Sequence, residues 1–229
     1  MPVKFNADLV KLKEKLLRMG AIAEKMIHNI SLVLIDENMA LLDRIYENEK
    51  ELDRLQIELD EETVKLIGIY APVAGDLRLL LMVTRINAEI ERIGDKVVDI
   101  GHIVGKFLQE KGSKKIINFT HIADDTQGML RKALNAFVNK SHSEALAVIN
   151  ADDEVDQQTD QAFRVLFTHM LDNPQVIGYI LGQMLVAQAL ERIADHAVNI
   201  AEDVIYMVKG EDIRHLDKVE ENNSDEHSS

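Results

Sequence analysis

The sequence ERIGDKVVDI occupies residues 91–100, and ERIADHAVNI occupies residues 191–200. Six of the ten positions are identical, and the changes include the close substitutions Gly94 to Ala194 and Asp99 to Asn199. Both stretches repeat isoleucines and acids at three- and four-residue spacing, which is typical of an amphipathic helix. Two copies of one helix a hundred residues apart predict an internal duplication.

The composition of the 229-residue chain favours a globular, all-α protein. Hydrophobic residues make up 46% of it, aromatic residues only 4%, and there are three prolines and no tryptophan. Abundant aliphatic and charged residues favour helices over a sandwich or barrel. The absence of cysteine excludes disulfides, zinc-thiolate sites and a thiol nucleophile, and it fits a reducing compartment.

Charge and hydropathy argue against nucleic acid and membrane as direct partners. The net charge is −14, whereas phosphate binding needs a basic surface. Residues 1–16, MPVKFNADLVKLKEKL, lack the apolar segment of a secretion signal. The charge-free stretch from Asn173 to Leu190 contains three glutamines, which favours a buried helix over a membrane span. We therefore expect a soluble, cytoplasmic protein.

Apolar periodicity and helix-capping residues predict six helices. The first helix is predicted from Ala7 to Ile35, the second from Met39 to Tyr70, and the third from a cap at Asp76 to about Lys111. The fourth is predicted to begin at Asn118 or Thr120 and to end at Asn139. A capping box at Ser141 and Glu144 opens the fifth, which ends near Asp172, and the sixth runs from Asn173 and Pro174 to Gly210. The halves correspond helix by helix, which predicts two tandem, pseudo-symmetric three-helix bundles. We assign residues 1–112 to the first repeat, 113–210 to the second, and 211–229 to an acidic, largely disordered tail.

Acidic residues recur four positions apart on two helices of each half. Residues at this spacing lie on one helix face, so each half presents two acidic pairs. If the neighbouring faces meet, four or more carboxylates converge without enough basic residues to pair with them, which is costly unless they bind cations. The predicted metal ligands are Glu49, Asp53, Glu91, Asp95, Asp99, Asp152, Asp156, Glu191 and Asp195.

An all-oxygen ligand set favours magnesium, calcium, manganese or iron. The small residues Gly94 and Ala194 beside the acids would let a neighbouring helix come close. Two other interpretations stay open. The acids could be a solvated flank paired with nearby arginines and lysines, or the protein could be a ferritin-like di-iron enzyme, although the repeated Glu-x-x-His motif of that class is missing. We interpret His196 as a satisfied or exposed histidine rather than a ligand.

Three segments resemble the PhoU family of phosphate-signalling regulators. They are APVAGDLRLLL at 71–81, ERIGD at 91–95 and ALERIADHAVNIAEDVIYMVKGEDIRH at 189–215, and the resemblance extends over nearly the whole chain, including the duplicated three-helix plan. It implies that the acidic motifs hold multinuclear metal clusters, with iron expected and manganese, magnesium or calcium as alternatives. Because Asn199 stands where the first repeat has Asp99, the two sites need not bind metal equally.

The resemblance also implies a function. The family acts as a negative regulator of the phosphate-starvation response and of phosphate uptake. It does so as a non-enzymatic adaptor between the ATPase subunit of the phosphate ABC transporter and a sensor histidine kinase. Such a protein is expected to be a homodimer, to bind no nucleic acid and to approach the membrane only through its partners. The alternative function is that of a ferritin-like or di-iron carboxylate metalloenzyme.

Overall fold

A computed structural model describes residues 3–107 and 115–213, and this part of the chain contains helices and no strand. The long helices are α1 (Val3–Asp36), α2 (Leu41–Tyr70), α3 (Ala74–Phe107), α4 (Thr120–Asn139), α5 (His142–Asp172) and α6 (Ile177–Lys209), and a 3₁₀ turn at Pro174–Val176 precedes α6. The prediction of an all-α fold with two matching three-helix halves is confirmed. The predicted end of the third helix at Lys111, the predicted repeat boundary at 112/113 and the tail after residue 213 lie outside the described residues.

Several helix ends follow from local chemistry. α2 stops before Pro72 with Ala71 in the left-handed conformation (φ 41°), where its N–H donates to the Ile67 carbonyl at 3.0 Å. α6 ends at Gly210, whose φ of 77° suits glycine and where a Cβ would run into the Arg78 guanidinium. Ser141 caps α5 by accepting a hydrogen bond from the Glu144 N–H at 3.2 Å, as predicted.

Three predicted helix starts were wrong. α1 begins at Val3 rather than Ala7, because Phe5 is fully buried and packs edge-on against Tyr70, with the ring centroids 5.2 Å apart. Asp76 lies inside the first turn of α3 instead of capping it. Asn173 makes no side-chain cap, and the chain passes through the 3₁₀ turn before α6 begins. At the start of α1, tertiary packing therefore overrides capping preference.

The two repeats share one hydrophobic core. α3 packs along α6, α1 packs against α4, and the buried side chains form a continuous cluster to which all six helices contribute. Leu12, Leu52 and Ile86 represent the first repeat in this cluster, and Leu130 and Ile193 represent the second. The halves are thus homologous units of a single packed body.

In the described residues, the helix at 174–209 is the one long and apolar enough to cross a membrane by length and composition. Half of its most apolar window is buried inside the protein, and Ile180, Ala187 and Leu190 of the charge-free stretch are completely buried. The core helix of a soluble protein passes the same test, so this feature is weak evidence for a span. Its burial agrees with the interpretation of this stretch as a core helix.

Candidate functional site

The first acidic cluster consists of Glu49 and Asp53 on α2 and Glu91 and Asp95 on α3. The two helices approach closely beside it, since a Cβ on Gly94 would lie 3.2 Å from Leu52 Cδ1. Burial, followed by the charges of Asp53 and Asp95, raises the pKa of Glu49. Burial and the charges of Asp95 and Asp53 likewise raise the pKa of Glu91. The structure thus brings together the two acidic pairs that the sequence predicts for this half.

The second acidic cluster repeats this arrangement with Asp152 and Asp156 on α5 and Glu191 and Asp195 on α6. Burial, then the charges of Asp156, Asp195 and other neighbouring acids, raises the pKa of Asp152 to about 6. The pKa values of Asp156 and Glu191 are raised by the same two causes. Asp152 Oδ1 is buried and has no hydrogen-bond partner among the described residues. This half therefore concentrates negative charge around an unsatisfied carboxylate oxygen.

Asp99 lies at the edge of the first cluster. Its charge contributes to the raised pKa of Asp95, after burial and Asp53, but its carboxylate accepts a hydrogen bond from Lys96 at 2.8 Å and is 54% exposed. Asn199, the equivalent residue of the second repeat, instead donates to Glu89 at 2.9 Å. The two repeats thus differ in side-chain partners at this position, and the expectation that they bind metal unequally stays a prediction.

Few of the clustered acids form ion pairs with nearby arginines or lysines. Arg92 donates to Glu89 at 2.7 Å rather than to Asp95, and Arg192 donates to Asp195 at 2.9 Å from an exposed position. The other cluster members form no ion pair with any residue in 3–107 or 115–213. They are Glu49, Asp53, Glu91, Asp95, Asp152, Asp156 and Glu191. The lack of ion pairs argues against a paired flank for the partly buried Glu49, Glu91 and Asp152, whereas Asp95 and Asp156 are exposed to solvent.

The donor set fits a hard cation. All the clustered groups are carboxylates, which are the ligands that magnesium, calcium, manganese and iron accept. A cation would also satisfy the buried Asp152 Oδ1. As the side chains stand, no three His, Asp or Glu groups in the described part of the chain are arranged to hold a metal ion. The metal role of these residues stays a prediction.

A polar contact between α3 and α6 was missing from the sequence interpretation. Glu89 is buried, and its carboxylate accepts from Asn199 and lies 2.8 Å from His196 Nδ1. Burial alone would raise the pKa of Glu89, but the hydrogen bonds from His196 and Asn199 and the positive charges nearby outweigh it and lower the pKa. His196 is thus a satisfied histidine, as predicted. A signal was present, because Glu89 falls in helical register with the buried Ile86 and Ile93.

Fold and clusters together define an all-helical protein built from two homologous repeats, each with a carboxylate cluster between its second and third helices. A family model described as the PhoU domain matches residues 16–104 and again residues 119–204. The chain belongs to the PhoU family.

Curated relatives and solved structures agree with this family. The chain is 34% identical over 214 residues to a protein of Pseudomonas putida named phosphate-specific transport system accessory protein PhoU homolog, covering 93% of this chain and 84% of that protein. It is 29% identical over 213 residues to the Escherichia coli K12 protein named phosphate-specific transport system accessory protein PhoU, covering 93% of this chain and 88% of that protein. The crystal structure of PhoU from Pseudomonas aeruginosa matches with a TM-score of 0.86 at 34% identity, over 90% of this chain and all of that one. A PhoU structure from Streptococcus pneumoniae, 22% identical with a TM-score of 0.84, shares the fold over 91% of this chain and 99% of its own.

Proposed function

We propose that this protein is a negative regulator of phosphate uptake and of the phosphate-starvation response. The observation that carries the proposal is the match of both halves to the PhoU domain. Relatives that the chain matches over 93% of its length are named accessory proteins of a phosphate-specific transport system. A role accessory to phosphate transport follows from family membership, and the direction of regulation is our proposal.

We further propose that the protein acts as a cytoplasmic, non-enzymatic adaptor and forms a homodimer. Its partners would be the ATPase subunit of the phosphate ABC transporter and a sensor histidine kinase, and it would reach the membrane only through them. The shared core supports this role, because a single packed body can present separate surfaces to two partners. The ferritin-like alternative loses support, since His196 is engaged by Glu89 and no repeated Glu-x-x-His motif is present in the sequence.

The third part of the proposal is that the acidic clusters bind cations, with iron expected and manganese, magnesium or calcium as alternatives. Glu49, Asp53, Glu91 and Asp95, with Asp99 at the edge, would hold the first metal cluster. Asp152, Asp156, Glu191 and Asp195 would hold the second. A bound cation supplies positive charge that offsets the repulsion between these carboxylates, and it links α2 to α3 and α5 to α6.

Deletion of the gene tests the regulatory role. In a strain that also lacks any paralogue, we expect phosphate-starvation genes to stay on in phosphate-rich medium, because the repressor of kinase output is gone. Expression is measured with a reporter for a starvation-induced promoter. Restoring the wild-type chain should restore repression, and so should the variant Glu47→Gln, which changes an exposed acid outside the clusters. Normal repression in the deletion strain would contradict the proposal.

A further inference from the structure

An apolar groove lies between α5 and α6 on the surface of the second repeat. It has a volume of about 630 Å³, and its apolar lining comes from Phe163, Phe167, Leu181, Met184 and Leu185. Phe167 is 55% exposed, Leu181 45% and Leu185 44%. Large apolar side chains that adjoin one another in solvent mark an interaction site more often than scattered ones do. We call this feature the α5–α6 groove.

The first repeat provides an internal control for this surface. Residues 81–90 of α3 and 181–190 of α6 share the same pattern of buried and exposed positions at nine of ten places. Yet Thr84 and Arg85 of the first repeat stand where the second has Met184 and Leu185. Aligning Glu49 with Asp152 places Asp60 and Glu61 opposite Phe163 and Arg164 in the same way. The fold therefore tolerates polar side chains here, so packing does not require an apolar groove.

The pseudo-symmetry extends to one specific pair of residues. In the first repeat, Arg85 forms an ion pair with Asp203 at 3.3 Å across the α3–α6 contact. The equivalent positions are Leu185 and Ile103, which line one and the same hollow. The positions of an ion pair on one side of the molecule are thus occupied by two apolar residues on the other, and Leu185 remains partly exposed.

Cations border the α5–α6 groove, although the chain as a whole carries a net charge of −14. Arg164 lines the groove and forms no ion pair with any described residue. Past Leu185 the groove continues into a hollow of about 470 Å³ that is lined by Lys96, Arg192 and the acid Asp99, among others. Lys96 and Arg192 are paired within their own helices, and such exposed pairs contribute little, so both cations can turn to a ligand.

We propose that the α5–α6 groove binds one amphipathic, acidic helix of a partner protein. An apolar groove with cations beside it matches a helix that has leucine-like residues on one face and carboxylates along its border. From Leu181 to Arg192 the groove and its continuation follow α6 for roughly 16 Å, which accommodates about three turns of helix. This inference rests on the apolar groove and its bordering cations, and it does not require the acidic clusters to hold metal.

The chain's own tail cannot supply this helix in cis. α6 continues from Leu185 to Lys209, which is roughly 36 Å of helix leading away from the groove. The last large apolar residues of the tail are Leu216 and Val219. A helix rises about 1.5 Å per residue, so a helical segment that ends at Val219 extends only roughly 15 Å beyond Lys209, less than half of that distance.

Two labelled peptides of identical length test the proposal. Both carry the same leucine face, and their polar faces are glutamate-rich in one peptide and lysine-rich in the other. Measured by fluorescence anisotropy with the full-length protein, the acidic peptide should bind saturably and at least tenfold more tightly than the basic one. The variant Met184→Thr/Leu185→Arg, which installs the residues of the first repeat, should weaken that binding at least tenfold.

Controls separate docking from misfolding. Leu81→Arg changes the equivalent of Leu181 in the first repeat and should leave peptide binding unchanged, because Leu81 is an exposed position outside the groove. Phe167→Ala truncates an exposed groove residue and should weaken binding while leaving the melting temperature the same. This second variant keeps the test decisive if the double variant does not fold.

Four results would overturn the proposal. The first two are equal affinity for both peptides and the absence of saturable binding. A dimer of the wild-type chain that Met184→Thr/Leu185→Arg dissociates in sedimentation equilibrium would make a second copy the occupant. Binding to phosphatidylglycerol vesicles that the same variant abolishes would make a membrane surface the ligand instead.

Discussion

At the scale of single residues, Asp152 shows how the second acidic cluster changes the chemistry of one side chain. An ordinary aspartate has a pKa of 3.8, but burial and the neighbouring charges of Asp156, Asp195, Asp153 and Glu191 raise the pKa of Asp152 to about 6. Its buried Oδ1 also lacks a hydrogen-bond partner among the described residues. Without a cation, ionising this carboxylate at neutral pH therefore costs folding free energy.

The raised pKa sets the sign of a pH dependence in the metal-free protein. The folded chain holds a proton on Asp152 up to about pH 6, whereas the unfolded chain loses it near 3.8. The free energy of unfolding should therefore fall as pH rises between these values and stay lower above them. Asp152→Asn removes this loss and should stabilise the protein at about pH 7.5 by about 1 kcal/mol, after discounting for partial solvent exposure.

Urea unfolding in the presence of a chelator, at several pH values, checks this prediction. Glu47→Gln serves as the control, because Glu47 is an exposed acid of α2 outside the clusters. If Asp152→Asn and the wild type lost stability equally between about pH 4 and about pH 6, the assignment of this pH dependence to Asp152 would be wrong.

Glu89 yields a second prediction at this scale. Replacing Glu89 by alanine leaves the nearby polar groups of His196 and Asn199 without their acceptor, so the free energy of unfolding should fall by about 2 kcal/mol. Arg92→Ala is the matched control, since Arg92 is an exposed partner of the same carboxylate and should cost less than about 1 kcal/mol. Denaturant titrations of both variants measure the difference. Equal losses would show that the hydrogen bonds of Glu89 to His196 and Asn199 add nothing to the free energy of unfolding.

At the scale of helices, the sequence predicts what local chemistry determines. Pro72, Ser141 and Gly210 set helix ends within a few residues of themselves, and i to i+4 spacing places each acidic pair on one face. The start of α1 was out of reach because it depends on Phe5 meeting Tyr70, more than sixty residues away. The partners of the acids could not be predicted either, because Arg92 lies three residues from both Glu89 and Asp95 and pairs with Glu89 in the structure.

Two glycines test how closely α2 and α3 approach beside the first acidic cluster. A side chain on Gly94 would press on Leu52, whereas one on Gly68 of α2 would meet nothing within 4 Å. Gly94→Val should therefore destabilise the protein by about 1–3 kcal/mol through overpacking. Gly68→Val should be neutral or slightly stabilising because it lacks that clash. Thermal unfolding of both variants measures this difference in stability. Similar melting temperatures would contradict the close approach of α2 and α3.

At the scale of the whole molecule, the two repeats are joined more tightly than their duplication alone implies. The core is continuous, Glu89 of α3 accepts a hydrogen bond from Asn199 of α6 at 2.9 Å, and Arg85 of α3 pairs with Asp203 of α6 at 3.3 Å. Sequence similarity between the halves reports common origin but contains no information on how the halves pack together. The shared core therefore had to be seen in the structure.

A shared core predicts that both repeats unfold together. Scanning calorimetry should show one transition whose calorimetric and van't Hoff enthalpies agree, because neither half can lose its packing without exposing the other. Two separate transitions in the metal-free protein would mean that each repeat is stable alone.

The central claim is that the acidic clusters of both repeats bind cations. Its most direct test is elemental analysis of the chelated protein after reloading with iron, manganese or magnesium, with melting temperatures measured before and after. We expect cations to raise the wild-type melting temperature by mass action, and we expect Asp95→Asn and Asp195→Asn each to lose metal and part of that increase, while Glu47→Gln behaves as wild type. If all four proteins carried no metal and melted alike in every condition, the claim would be contradicted.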